Sequence, residues 1–353
     1  MKYKLKDLVN IKYGKNQKLV EDNINGKIPI LGTGGIIGYA KESLYNKPSV
    51  LIGRKGTIDK IRYVDYPFWT IDTLFYTEIN TDLVIPQYLY YRLLDIDFKN
   101  LNEGTTIPSL RTQTLYEIEL EIEDIKIQNK IVEILSTIDK KIEYNTHTNN
   151  NLLQLGDLIY NNFFVSSKDE WNVKTLKEIS NNFDSKRKPM SSREREEHKG
   201  TYPYYGATSI IDYVDDYLFD DTYILMGEDG TVITDDNKPV LQYIWGKFWA
   251  NNHAHVLQGS IVSNEYLYFA LRNTDVKFLV TGAVQPKINQ ENMNKLKFII
   301  PDQDNLKILE NNLSIVMKKY KENCCKISTL EQIRDTLLPK LMNGEIDLDK
   351  IEI

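Results

Sequence analysis

PILGTGGIIGYAKESLYNKPSVLIGRKG, residues 29–56, has a counterpart in PYYGATSIIDYVDDYLFDDTYILMGEDG, residues 203–230. At an offset of 174, Pro29 meets Pro203, Gly32 meets Gly206, and Ile36-Ile37 meet Ile210-Ile211. Tyr39 meets Tyr213, Leu44 meets Leu218, Gly53 meets Gly227 and Gly56 meets Gly230. Further along, Trp69 meets Trp249 after six residues of insertion. Gly104 and Pro108 of GTTIPSL then meet Gly282 and Pro286 of GAVQPKI at an offset of 178. The same offset pairs Leu152 with Leu330, Asp157 with Asp335 and Ile159 with Leu337. One unit is written twice, and a repeat of this size sets the architecture before any local reading. Glycines and apolar positions match between the copies, whereas charged and polar residues differ. One scaffold that presents two different surfaces would leave that pattern.

Each copy opens with a Gly- and aromatic-rich segment in which short β-rich runs alternate with turns. SVLIGRKGTI and YILMGEDGTVI read as paired strands joined across Gly-containing turns. Gly53, Gly56, Gly227 and Gly230 suit positive-φ turn positions. PQYLYYRLLD and SNEYLYFALRN read as amphipathic helices. A long helical segment then follows. In the second copy Leu306, Leu309, Leu313, Val316, Tyr320, Asn323, Ile327, Leu330, Arg334, Leu337 and Leu341 step by alternating threes and fours, an a/d seam. The first copy gives Ile131, Leu135, Ile138, Ile142, Asn145, Asn149, Leu152, Ile159 and Phe163. Helices of ~40 residues span about 60 Å, too long to bury against one small globule. The expected fold is α+β, with a pseudo-twofold internal repeat. Two globular α/β-mixed domains, residues 1–105 and 166–283, alternate with two helical regions, 106–165 and 284–353. The two long helices pair as an antiparallel coiled coil. Asn145 and Asn323 sit at matching seam positions, where a buried Asn fixes register.

The chain has 353 residues and a net charge of −6, which does not advertise nucleic-acid binding by itself. Its distribution softens that: residues 1–100 hold 15 basic and 11 acidic side chains, while residues 166–281 hold 13 and 18. A subunit that borrows phosphate contacts from partners need not be basic overall. No run of about 18 apolar residues is present, so no transmembrane helix is expected. MKYKLKDLVNIKYG lacks the apolar core of a signal peptide. Cys324 and Cys325 are adjacent and read as reduced thiols of a cytoplasmic protein.

The C-terminal string QIRDTLLPKLMNGEI resembles the end of the specificity subunits of type I restriction–modification systems. The alternation of a target-recognition domain with a long helix resembles that family too. So do the junctions GTTIPSLRTQTLYEIELEI and GAVQPKINQENMNKLKFII, each leading to a helix start and then a Gln, Gln128 or Gln303. The resemblance covers essentially the whole chain. It implies two target-recognition domains, each reading half of a split double-stranded DNA site, with the helices as a spacer ruler. It also implies partners: two methyltransferase subunits using S-adenosylmethionine for adenine N6, and ATP- and Mg-dependent restriction subunits that combine motor and nuclease. The chain itself would bind no cofactor and catalyse nothing. It is compact for the family. A stand-alone DNA-binding regulator, or an inhibitor of a restriction system, is the alternative; it would share the helical seam but calls for more basic charge.

The residues carry no catalytic signature. There is no cofactor-binding Gly-rich strand–loop–helix and no Asn/Asp-Pro-Pro-aromatic loop. Gly32-Thr33-Gly34-Gly35 lacks the Lys-Ser/Thr of a phosphate-cradling loop and reads as a turn near DNA backbone. Asp220, Asp221, Glu228 and Asp229 read as a solvated acidic face, since the first copy has Asn46, Lys47, Arg54 and Lys55 there. His253 and His255 lack the further ligands a metal needs and read as a DNA-facing or packed pair. Base readout takes forked donors and amides, and phosphate contact takes hydroxyls and cations. In the first domain this selects Lys15, Asn16, Gln17, Thr33, Arg54, Lys55 and Thr57, with Thr70 beside them. In the second it selects Lys186, Arg187, Lys188, Ser191, Ser192, Arg193, Thr208, Ser209, Lys247, Asn251, Asn252 and His253. Trp69 and Trp249 are read as core more than contact.

Overall fold

A computed structural model describes residues 1–166, 171–282 and 285–348. The expected boundary at 283/284, the Ala283-Val284 step of the second junction, and the tail beyond 348 lie outside the described residues. Two compact units divide the chain: Met1–Glu143 with Ile327–Ile353, and Tyr144–Lys326.

The first unit begins with β1 (Lys2–Lys4), α1 (Leu5–Leu8), β2 (Val9–Tyr13), β3 (Ile28–Gly32) and β4 (Gly35–Ala40). It continues through β5 (Ser49–Gly53), β6 (Arg62–Val64), β7 (Trp69–Thr70), β8 (Leu74–Ile79), α2 (Pro86–Leu94), α3 (Thr112–Tyr116), β9 (Glu119–Glu121) and the first part of α4 (Ile125–Ser166). One sheet runs β2-β8-β5-β6 and a second runs β4-β3-β7, with β1 and β9 paired apart. Within the second sheet β3 lies parallel to β7, Ile30 opposite Trp69. The run Val50-Leu51-Ile52 of β5 is buried on both faces, between α2 and the second sheet, so it reads as a continuous apolar strand. Tyr88, Leu89 and Tyr91 of α2 pack on Phe75 and Ile131.

The expected helical region from 106 opens differently. Residues 112–121 form α3 and β9, because β9 pairs with the N-terminal strand, Tyr3 opposite Leu120. α4 starts only at Ile125, capped by Asp124 Oδ1, which accepts from the amides of Lys126 (2.8 Å) and Ile127 (3.0 Å). Buried Gln128 locks that start to the domain: its Nε2 donates to Leu83 O and Glu123 O, and its Oε1 accepts from Ile85 N.

The second unit contains the rest of α4, β10 (Asn172–Thr175), α5 (Leu176–Ile179), β11 (Ser180–Asn182), α6 (Ser192–Glu197), β12 (Lys199–Tyr205), β13 (Ile210–Val214) and β14 (Phe219–Asp220). Then come β15 (Tyr223–Gly227), β16 (Leu241–Ile244), β17 (Lys247–Ala250), β18 (Ala254–Gly259), α7 (Asn264–Arg272), α8 (Gln290–Met293), β19 (Lys297–Ile300) and most of α9 (Gln303–Met342). Its sheets run β11-β18-β15-β16 and β13-β12-β17-β14, with β10 paired to β19. Strand for strand this is the order of the first unit plus one short edge strand. β12 lies parallel to β17, Tyr204 opposite Trp249, and these are the residues that the repeat aligns with Ile30 and Trp69.

The expected hairpins after β5 and β15 do not form directly. The chain turns away after Gly53 and Gly227, neither of which takes the expected positive φ, and the next strands begin only at Arg62 and Leu241. The cause is shared. Gly56 (φ 85°) donates its amide to Pro108 O at 2.9 Å, and Gly230 (φ 81°) donates to Pro286 O at 3.0 Å. The matched Gly and Pro positions are thus one hydrogen bond made twice.

α4 and α9 place the expected seam residues inward. Ile131, Leu135, Ile138, Leu309, Leu313, Val316 and Leu341 are buried, and so are Asn149 and Asn323. In the first unit the helices run antiparallel, with Lys130 bonded to Leu348 O and Asp139 to Arg334 (3.3 Å). In the second unit Asn149 Nδ2 donates to Cys324 Sγ at 3.2 Å. Asn145 is half-buried. Equivalent contacts on the long helices of the two units carry opposite chemistry. In the first, Tyr91 donates to Asp139 (2.5 Å), which also holds Arg334. In the second, the mates of Tyr91 and Arg334 are Phe269 and Gly156, and the ring lies directly over the glycine. Beyond α9, Gly344 adopts φ 70°, a left-handed stop to the helix.

Candidate nucleic-acid interface

In each unit the sheets end in loops that hydrogen bonding gathers onto one edge. In the first, Gly14 N donates to Leu74 O (3.0 Å), Lys15 N to Thr70 O (2.8 Å) and Ile71 N to Leu31 O (3.2 Å). Arg54 N donates to Thr73 O (2.8 Å). A side chain on Gly14 would lie 1.9 Å from Ile71 O, so the close approach requires glycine. The Trp69 indole donates to Lys15 O at 3.0 Å, which ties the loop after β2 down. The segments 14–17, 33–35, 54–57 and 70–73 therefore form one surface. On it Lys15, Asn16 and Lys55 are exposed, and Gln17, Thr33, Arg54 and Thr57 are half-buried. Trp69 and Thr70 lie inside. Asn16 Oδ1 is spent on the amide of Lys18.

The second unit repeats the construction. Phe183 N donates to Val256 O (2.8 Å), Asn251 N to Tyr205 O (3.1 Å) and Glu228 N to His253 O (2.9 Å). The Trp249 indole donates to Lys188 O at 2.6 Å, as its mate does to Lys15. Lys186, Lys188, Ser191, Ser192, Arg193, Thr208, Ser209, Lys247, Asn252 and His253 are exposed. Lys186 stacks over Phe183 and Lys247 over Tyr217. Asn251 is buried, and its Oδ1 caps the amide of His253.

Arg187 departs from the expectation of a free fork. Its guanidinium points inward and donates to Ala254 O (2.6 Å) and Glu228 (2.7 Å), and pairs with Asp184 (3.4 Å). With only 12% of the side chain exposed, this arginine is a strut of the domain. Glu228 and Asp229 likewise are not a solvated acidic face. Glu228 also meets Lys287 (3.1 Å), and Asp229 pairs with the His253 imidazole. Asp220 and Asp221 do face solvent. His255 is buried, Nδ1 on Asp184 (2.6 Å) and Nε2 on Ile288 O (2.8 Å). Asp184, Glu228 and His255 cluster closely enough to suggest a metal. Both imidazole nitrogens, however, are already spent on oxygens, and two cationic side chains sit among the carboxylates, so the trio reads as an ion-pair network. Burial would raise the carboxyls of Asp184 and Glu228. Hydrogen bonds from His255 to the first and from Arg187 to the second, with the neighbouring cations, outweigh it and hold both below the ordinary carboxylate range.

Sequence reasoning missed the role of Tyr13, whose ring lies 5.2 Å under the Arg54 guanidinium. It also took the matched isoleucines and tyrosines as scaffold. Ile36, Ile37 and Tyr39 are 56%, 48% and 42% exposed, and Ile210, Ile211 and Tyr213 are 39%, 50% and 49% exposed, all on the β3–β4 and β12–β13 hairpins. Their repetition was the available signal; their exposure was not in the pattern.

The family of the type I restriction modification DNA specificity domain matches the chain over residues 1–154 and again over 168–323. The type I restriction enzyme MjaIX specificity subunit of Methanocaldococcus jannaschii is 24% identical over 350 residues, 87% of this chain and 80% of that one. The HindI specificity subunit of Haemophilus influenzae is 20% identical, covering 76% and 79%. Another Haemophilus influenzae relative is 35% identical over 136 residues, and the match spans only 34% of that relative's length. A solved structure of the type I restriction–modification S subunit from M. genitalium shares the fold: TM-score 0.58, 20% identity, 97% of this chain and 95% of that one. No helix among the described residues is long and apolar enough to cross a membrane. The chain belongs to the type I restriction–modification DNA specificity family and carries two copies of its domain.

Proposed function

We propose that this chain is the non-catalytic specificity subunit of a type I system and reads a bipartite double-stranded DNA target, one half with each unit. The observation that carries this is a single loop-bearing edge built twice on one strand order and furnished with different polar side chains. Phosphate contacts position such an edge, and forked donors read bases in the groove. The exposed lysines, amides and hydroxyls gathered there are the means. Chemistry then falls to partners: two methyltransferase subunits with S-adenosylmethionine, and restriction subunits with ATP and Mg. Exposed Leu155, Leu158, Ile308 and Ile315 on α4 and α9 supply apolar contact area for a helical partner.

The test is transfer of labelled methyl groups from S-adenosylmethionine to plasmid DNA. The expected result is transfer only when this chain and its methyltransferase subunit are both present. Transfer by this chain alone, or equal transfer by the methyltransferase alone, would refute the assignment.

A further inference from the structure

We propose that the turn after β5 is the base-reading element of the first unit and takes a guanine edge. The equivalent turn of the second unit is a clamp, and reading there has passed to Asn252 and His253. This rests on the function proposed above and adds which residues read.

The two turns share one backbone. Each has a positive-φ glycine bonded to the matched proline carbonyl, and each pairs next to it, Lys55 with Ser109 and Asp229 with Lys287. Only the side chains differ: Arg54-Lys55 in one, Glu228-Asp229 in the other. In the first unit a carbonyl, a stack and the exposed Asp72 carboxylate, 3.9 Å from Nη1, fix the arginine. Nη1 donates to Asp72 O at 2.7 Å, and the guanidinium lies over Tyr13, itself edge-on to Phe75 at 5.0 Å. A guanidinium held in this way is pre-organised, so less entropy is lost when its other donors engage. Lys55 beside it is exposed, and its ammonium meets no acceptor among the described residues. Two adjacent cationic donors at a groove edge fit the paired acceptors O6 and N7 of guanine.

In the second unit the same positions would carry two negative charges toward a polyanion. The fold prevents this. Arg187 and Lys287 bind Glu228, and His253 binds Asp229, which leaves those carboxylates 14% and 17% exposed. Paired and turned inward, they hold the loop between β17 and β18 instead of facing DNA. That loop presents exposed Asn252, whose side-chain amide has no partner among the described residues, and His253, 47% exposed. An Asn amide fork suits the N6 and N7 of adenine.

The experiment co-expresses the full chain with its methyltransferase subunit in cells without other adenine methylation and maps the methylated motif. Parent, Lys55→Ala, Arg54→Ala with Lys55→Ala, and Asn252→Ala with His253→Ala are compared. Lys55→Ala, at an exposed site, should weaken preference for one guanine in one half of the motif by roughly tenfold or more and leave the other half unchanged. Arg54→Ala with Lys55→Ala should relax the same position further. Asn252→Ala with His253→Ala should relax the other half only. Methylation through the untouched half shows that each variant is folded and assembled. A parental split motif that the first two variants leave unaltered, or that they relax at a base other than guanine, overturns this assignment and spares the function. A parent that yields no split motif overturns the function and the assignment together.

Discussion

Replacing a helical glycine by alanine ordinarily stabilises a protein by up to about 1 kcal/mol, since glycine has more freedom to lose on folding. Gly156, inside α4, should do the opposite. A Cβ there would sit 2.1 Å from Phe269 Cζ and 2.3 Å from Cε1. The ring cannot swing away cheaply: it is fully buried in α7 and packs edge-on against Tyr268 at 5.4 Å. Forcing a methyl into a filled core costs about 1–3 kcal/mol. Three contacts at or under 2.9 Å place Gly156→Ala toward the upper end. Set against the helix gain, the net loss is about 1–2 kcal/mol, or a fall in Tm on the order of 2–8 °C for a unit of this size. Three of the four tryptophans, Trp171, Trp245 and Trp249, lie in this unit, and with Trp69→Phe as the background tryptophan fluorescence during urea or thermal unfolding reports on it alone. Phe269→Leu trims the offending ring, so the penalty for Gly156→Ala should shrink in that background, with a coupling of about 1 kcal/mol or more. A higher Tm for Gly156→Ala, or the same penalty with and without the ring, would refute the packing argument.

Three further outcomes are expected. Arg187→Ala should cost about 3 kcal/mol in the second unit, because it leaves two largely buried carboxylates short of their counter-charge; urea unfolding checks this, and a change within 0.5 kcal/mol of zero, about that of an ordinary surface site, would return Arg187 to the surface. Asp184 and Glu228 titrate below the unfolded range, so their stabilisation is present above about pH 4 and is lost as pH falls through their depressed values. Asp184→Asn with Glu228→Gln should therefore flatten the acid side of the stability profile, and an unchanged slope would contradict the network. Finally, seven residues inserted in both α4 and α9 add about 10 Å of helix, equivalent to about three base pairs. The tolerated spacer should change while the half-sites keep their sequences; a fixed spacer would end the ruler idea.

Much of the fold was legible because the repeat samples it twice. Gly56 with Pro108 and Gly230 with Pro286 stand out as matched pairs, and each proves to be one backbone bond. The seam was legible from its spacing, since a buried face must recur every three or four residues. The start of α4 was not, because β9 forms by pairing with β1, and nothing local in GTTIPSLRTQTLYEIELEI announces a partner at residues 2–4. The site was legible as a set of loops but not as a set of directions. Lys186, Arg187 and Lys188 look alike in a string; only Arg187 finds Glu228, 41 residues away, and turns inward. Asp139 and Arg334, 195 residues apart, escape any local pattern for the same reason. Tyr13 became meaningful only once Arg54 was seen above it.

On the function proposed above, two units of one chain read two separate pieces of DNA. Single-molecule sequencing of adenine methylation, in cells that co-express this chain with its methyltransferase subunit, tests it most directly. The expected result is one split motif, with two short defined halves and an undefined spacer of fixed length. A single continuous motif, or no methylation from a stably assembled complex, would contradict it.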